Sequence, residues 1–339
     1  MSRITITGTG VVSPAGWGVP ALREFLAAGK PVEPEFLERT TAGGEVVRTP
    51  IAKVPALTDR SLLPKSPRLR RASSVGKFSA AAVLEALGQE KFDSVVRGEL
   101  RLGVICSMMN GCVNYSNRFY GEVLADPKVA SPILFPETVY NAPASHISAV
   151  TNSTAPNDTI IGDGAEFFIA LDLAAEWLGR GDCDAVVIVA PEEADWLSAE
   201  ALGYYDSRML AAEGAAAVLL ERDGDGPQLL AVPDGVSYAL EPDRGKAFAR
   251  LWSELDVDAD ALWVDGRNGV PRLDAAEESV HWSGPRVSTR KLLGEAMGAS
   301  AAIQFVAAVD ALEQGAADQA VVTSVGGNQG VGGCVLQRR

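Results

Sequence analysis

The sequence predicts an α/β protein of five layers, αβαβα, built from two similar halves. Continuous apolar runs at Asp184–Val189 (DAVVIV) and Ala320–Thr323 (AVVT) read as strands of a parallel sheet covered on both faces. Ala-rich stretches with helical spacing accompany them, and Ser73–Leu87 (SSVGKFSAAAVLEAL) is the strongest. The third observation is an internal correspondence at an offset of 134 residues. Leu178, Gly181, Asp184 and Val187 match Leu312, Gly315, Asp318 and Val321, and Gly164 matches Gly298. In each copy a glycine turn opens a helix, a Gly follows it, and an apolar strand starts after an Asp. The next strand also corresponds: GAAAVLLER at Gly214–Arg222 parallels GVGGCVLQR at Gly330–Arg338. Two such halves packed face to face give the layered arrangement. They are expected at 1–225 and 226–339, the second being shortened.

In chain order, Arg3–Thr9 reads as a first strand running into a Gly8-Thr9-Gly10 turn. Gly18–Gly29 reads as a helix with Ala21, Leu22, Phe25 and Leu26 on its apolar stripe. The polar, Pro-containing stretch to about Pro67 is the least structured part by pattern. Leu102–Cys106 is a short buried strand leading into a loop at Ser107–Asn114.

With 47% hydrophobic residues the chain is too apolar for disorder, despite a net charge of −14. That acidity argues against nucleic acid, whose phosphates are bound by clustered Lys and Arg. No run reaches the 18 or so apolar residues of a membrane helix. The start, MSRITITGTGVVSPAGWG, alternates like a strand and lacks the apolar stretch of a signal peptide. Four scattered cysteines, Cys106, Cys112, Cys183 and Cys334, form no C-x-x-C pair, so no zinc site, cofactor or disulfide framework is expected. A reducing, cytoplasmic setting follows. The chain holds only two histidines, so imidazole chemistry has little to work with.

The opening ITITGTGVVSPAGWGVPALREFLAAG resembles the first strand, turn and helix of β-ketoacyl synthases, which have the thiolase fold. The resemblance continues through RRASSVGKFSAAAVLEAL, SPILFPETVYNAPASHIS, GAEFFIALDLAAEWLGRGDCDAVVIVAPEE and LLGEAMGASAAIQFVAAVDALEQG, to the terminal glycine loop TSVGGNQGVGGCVLQRR. Active condensing members place a cysteine at a strand-to-helix elbow, where its thiolate accepts the acyl chain. Two histidines then stabilise the enolate oxygen as the malonyl thioester decarboxylates. By this resemblance the cysteine position falls on Gly164, the first histidine near Gly266 and the second on Glu295. A lysine often found beside that histidine corresponds to Lys291, and the gating phenylalanine of the terminal loop is replaced near Gly327. With two histidines in the whole chain, no shift of register restores both.

Other residues carry two readings each. His146, in Asn141–His146, is a surrogate base or, the favoured reading, a helix-start histidine bonded to backbone. His281 reads as a surface residue. Cys106 and Cys112 are displaced nucleophiles or buried thiols, and neither precedes a helix with an evident activating partner. Asp163, Glu166, Asp265 and Glu295, with Arg267 and Asn328 nearby, form a rebuilt acid–base site or cap helices. The basic run Lys65–Arg71 (KSPRLRR) is a docking patch for an acidic acyl carrier protein or a solvated helix lead-in.

The resemblance thus implies a chain-length-factor-like subunit lacking the Cys-His-His set, paired with an active ketosynthase in a type II polyketide or fatty-acid system. Its Gly164 departs from the glutamine of well-known examples. Asn141–Ile147 and Asp158–Phe168 would contact the partner, with Phe119, Tyr140, Phe167 and Phe168 as tunnel walls. The alternatives are an enzyme with a rebuilt acidic site and a homodimeric acyl-binding or scaffold protein.

Overall fold

The computed structural model describes residues 3–41 and 43–339. In the first half, β1 (Ile4–Ser13), β2 (Gly16–Trp17) and α1 (Val19–Ala28) lead into β3 (Glu35–Thr40) and β4 (Val46–Ala52). There follow α2 (Ser74–Val96), β5 (Leu102–Met108), α3 (Val113–Ala125), α4 (Ala142–Thr151), β6 (Asn157–Ile161) and α5 (Glu166–Arg180). The half closes with β7 (Ala185–Glu192), α6 (Trp196–Tyr205), β8 (Ala211–Ala212) and β9 (Gly214–Arg222). The second half holds β10 (Gln228–Ala231), β11 (Val236–Ser237), α7 (Arg244–Glu254), β12 (Leu262–Val264), α8 (Pro271–Glu278) and β13 (Arg286–Val287). It ends with α9 (Thr289–Leu293), α10 (Gly298–Glu313), β14 (Gln319–Val325) and β15 (Gly330–Gln337).

The strands run β6-β5-β7-β9-β1 in the first half and β10-β15-β14-β12-β13 in the second, joined where β10 pairs with β1. α5 and α10 lie between these two sheets and share one apolar core with strands of both. α10 buries nearly its whole length, as apolar residues on nearly all sides require, while α5 keeps one polar face with Asp172, Glu176 and Arg180 exposed. α2 and α4 cover the outer face of the first sheet, and α7 and α8 that of the second. Five layers result, in the expected order αβαβα.

The two copies superpose in kind. α5 and α10 are followed by left-handed Gly181 and Gly315, and β7 and β14 each pair antiparallel with the next long strand, β9 or β15. The sheets are mixed rather than parallel, because β7 and β14 keep a parallel neighbour, β5 or β12, on the other side only.

Three local expectations are corrected. Gly8-Thr9-Gly10 is no turn: β1 runs through it, and α2 crosses so closely that a Cβ at Gly8 would lie 1.9 Å from Ala86 O. These glycines serve close packing. The stretch before Pro67 contains the β3–β4 hairpin, whose exposed face hides its strand character from composition. Met108 still belongs to β5 and Val113 already to α3, which shortens the expected loop to 109–112. No helix among the described residues is long and apolar enough to cross a membrane.

Candidate functional site

α5 and α10 both start at one end of the central layer, and a cavity of about 240 Å³ lies there. Its walls come from both halves: Met109 and Asn110 after β5, Asp163 and Gly164 before α5, the α6 face of Ser198, Leu202 and Tyr205, and Asn268, Arg290, Glu295 and Met297. Val325, at the end of β14, and residues 326–328 of the loop to β15 close it. Gly164, Glu295 and Gly327, remote in sequence, therefore meet at one place.

Gly164 has φ 85°, a conformation that disfavours any side chain. A Cβ there would also lie 2.8 Å from both the Cα and the N of Gly326. The elbow is thus closed by backbone. Beside it, the Asp163 carboxylate accepts the N–H groups of Gly327, Asn328 and Gln329 at 3.1, 2.6 and 2.8 Å. The carbonyls of the same loop are taken from the other side. Tyr205 Oη donates to Gly327 O at 2.7 Å, Tyr238 Oη donates to Gly326 O, and the buried Arg244 donates to Gly327 O at 2.7 Å.

Glu295 is buried, at 6% exposure, and its carboxylate is saturated. Oε1 accepts from Met297 N–H at 2.9 Å and Ser300 Oγ at 2.8 Å; Oε2 accepts from Arg290 Nη1 at 3.2 Å and Asn268 Nδ2 at 3.3 Å. Arg290 is itself committed, donating to Gln304 and Ser324 as well. It is the cation of this site. Lys291, assigned that role by sequence, turns away to Asp274 at 3.2 Å. Gly266 is likewise displaced from its expected role: it packs on the Ser324 backbone outside the cavity, and Asn268 is the residue of that loop which reaches in.

The remaining carboxylates separate from the cavity. Asp265 is fully buried and pairs with Arg267 at 3.0 Å and Arg286 at 2.5 Å, so this trio is an internal ion cluster. Glu277 beside it accepts from Gly266 N–H and Thr323 Oγ1, and burial pushes its carboxyl up. Glu166, in the first turn of α5, is 1% exposed and neither of its oxygens has a partner. Burial pushes it up to about 7. Glu192, at the end of β7, is pushed up to about 8 by burial and accepts the N–H groups of Met109, Asn110 and Gly111. Of the six expected acid–base residues, only Asp163, Glu295 and Asn328 border the cavity.

His146 lies inside α4 rather than at its start, and its partner is a side chain: Nε2 meets Glu137 Oε1 at 2.6 Å. The Glu137 carboxylate, which also accepts from Ser73 N–H, is held below the usual range by that histidine and by these hydrogen bonds, against the effect of burial. Cys112 precedes a helix, α3, but without an activating partner, as expected. Burial and nearby Glu193 push its thiol up to about 12, and burial raises Cys106 too, so both are poor nucleophiles. Phe167 and Phe168 are core residues packed on each other and, for Phe167, on Phe305, and neither is part of the lining of this cavity. Phe119 packs on Phe135, while Tyr140 and Asn141 face outward. His281 is exposed as expected. Lys65–Arg71 borders a surface groove with Arg60 and Lys77.

Sequence reading missed Arg290, Asn268, Tyr205 and Arg244. For Arg290 the available signal was the Arg-Lys pair five residues before Glu295, but which of the two turns inward depends on how α9 is buried.

A sequence model of the β-ketoacyl synthase N-terminal domain matches residues 1–226. The chain is 23% identical over 347 aligned positions to 3-oxoacyl-[acyl-carrier-protein] synthase 2 of Vibrio harveyi, covering 95% of this chain and 80% of that protein. Among solved structures it is similar to the ishigamide ketosynthase/chain length factor, at 22% identity and TM-score 0.80, with 99% of each chain covered. It is also similar to a type II polyketide synthase acyl-carrier protein complex with its ketosynthase bound to the hexaketide, at 16% identity and TM-score 0.79, covering 100% of this chain and 99% of that one.

Proposed function

The chain belongs to the β-ketoacyl synthase family, and from that premise we propose that it is a ketosynthase-like subunit without acyl-transfer chemistry of its own. It acts as the chain-length-factor-like partner of an active synthase in type II polyketide or fatty-acid biosynthesis, in the cytoplasm. The observation that carries this reading is the Gly164 elbow, where the Gly326 backbone occupies the space a nucleophile would need. Acyl transfer requires a thiolate or alkoxide within reach of the thioester. The Glu295 carboxylate supports the same reading. Four donors already occupy its two oxygens, so the carboxylate is committed to holding the loop and is not free to engage an acyl group.

The partner is inferred from surface chemistry. β6 is an edge strand paired only with β5, and Ile161 at its end is 54% exposed. Leu124 and Val129, in and after α3, and Ile133, Phe135 and Tyr140 beyond it are also exposed. An unpaired edge strand invites another strand, and exposed apolar area of this kind marks protein interfaces. Lys65–Arg71 would receive an acidic carrier protein.

Co-expression with a family member that retains Cys-His-His is expected to yield a one-to-one complex, and Ile161→Lys is expected to abolish it while leaving the thermal midpoint of the subunit unchanged. A homodimer that ignores every such synthase overturns the heterodimer and leaves an acyl-binding scaffold. The rebuilt acidic enzyme is disfavoured by the saturation of Asp163 and Glu295 with hydrogen bonds.

A further inference from the structure

The loop that closes the cavity has its N–H groups and all but one of its carbonyls, that of Asn328, hydrogen-bonded. Gly326 N–H donates to Gly330 O at 2.7 Å, and Gln329 O accepts from Tyr238 N–H at 2.8 Å. The carbonyls of Gly326 and Gly327 are held by Tyr238, Tyr205 and Arg244. The three consecutive N–H groups of 327–329 converge on the two oxygens of one carboxylate, that of Asp163. Successive N–H groups turned to one side make a concave anion site. Here the anion is supplied by the chain itself, 164 residues upstream of Gly327.

We propose that residues 327–329 form an anion-binding nest at the cavity wall, that Asp163 is its resident occupant, and that the nest is a latent site for a small carboxylate which Asp163 keeps shut. Two observations carry this. Asp163 and Gly327 both line the cavity, so a ligand's carboxylate there meets the nest as soon as Asp163 is gone. The carbonyls are clamped independently, by residues of other elements, so the nest keeps its shape without its occupant. Asp163 is a positioning residue. Its consequence for function rests on the reading above: while Asp163 fills the nest, the loop offers no backbone donor to a thioester oxygen in the cavity, and a second carboxylate is repelled.

The test uses the full chain and hydrogen exchange at Gly327, Asn328 and Gln329. Asp163→Ala is expected to speed exchange at these three amides by about tenfold or more. Acetate should then restore protection saturably, while acetamide at equal concentration does not. Asp163→Asn, which keeps a side chain in the nest, should show faster exchange and no response to acetate. Unchanged exchange in Asp163→Ala, or equal rescue by acetamide, overturns the proposal; if the alanine variant fails to fold, acetate-insensitive loss of protection in Asp163→Asn supports it and wild-type exchange there overturns it. None of these readouts depends on a partner, so their failure leaves the subunit reading standing, and failure to find a synthase partner leaves them untouched.

Discussion

Two loops border the cavity, and each turns three consecutive N–H groups onto a carboxylate of the same chain. After β5, Met109, Asn110 and Gly111 donate to Glu192; after β14, Gly327, Asn328 and Gln329 donate to Asp163. The match extends to the helix starts. A Cβ on Gly164 would strike the Gly326 backbone, and a Cβ on Gly298 would lie 2.7 Å from Met109 N and 2.8 Å from Met108 Cα. Each half therefore opens its central helix against a strand end of the other. What differs is solvent. Glu192 is sealed, at 0% exposure, whereas Asp163 borders the cavity and is half-buried. The same hydrogen-bond pattern is thus sealed in one half and borders the cavity in the other.

The comparison breaks first at Glu192. Glu192→Ala should cost about 2–4 kcal/mol, because the buried Gly111 N–H and the part-buried N–H groups of Met109 and Asn110 lose one fully buried acceptor together. Urea unfolding measures this, and a loss below about 1 kcal/mol would remove the distinction between the loops. Gly164→Ala comes next, at about 2–4 kcal/mol, since it adds left-handed strain to overpacking, while Gly298→Ala suffers the overpacking only. Thermal midpoints of the two variants separate those contributions. A Gly164→Cys protein that melts like wild type and is alkylated readily would instead reopen the elbow to chemistry.

Proton uptake sharpens the contrast. Glu166 and Glu192, raised to about 7 and about 8 from an ordinary 4.5, keep protons in the fold that the unfolded chain has released. The folded state binds more protons across that window, so stability falls as pH rises from about 5 to about 8. Glu166→Gln should flatten the fall and raise stability by about 1–3 kcal/mol at pH 8, with little change at pH 5. Denaturant midpoints at the two pH values check it. The smallest effect is expected at Asp163→Ala, about 1–2 kcal/mol, because water entering the cavity re-solvates the freed amides.

Much of the fold was legible because burial writes a local period into the chain. The runs at Val186–Val189 and Val321–Thr323, the Ala-rich α2 and the matched glycines at 181 and 315 each report their own environment within a few residues. The hairpin of Phe36 and Val46 was missed for the complementary reason: its exposed face carries no such period. At the site, Gly164 and Glu295 were legible as positions of a resemblance. Glu166 and Asp265 were grouped with them by loop proximity, and the structure sends one into an unpartnered burial and the other into an arginine cluster.

The sequence by itself determined the αβαβα duplication and the scarcity of imidazole, since composition and spacing are properties of the chain alone; that Gly164 and Glu295 stand at catalytic positions was implied by the resemblance. Tertiary structure alone decided that Gly326 fills the place of a side chain at 164, that Arg290 rather than Lys291 meets Glu295, and that Asp163 holds amides 164 residues or more away. Those facts depend on how two sheets press two helices together, and close packing of backbones distant in sequence leaves no periodic trace in either segment.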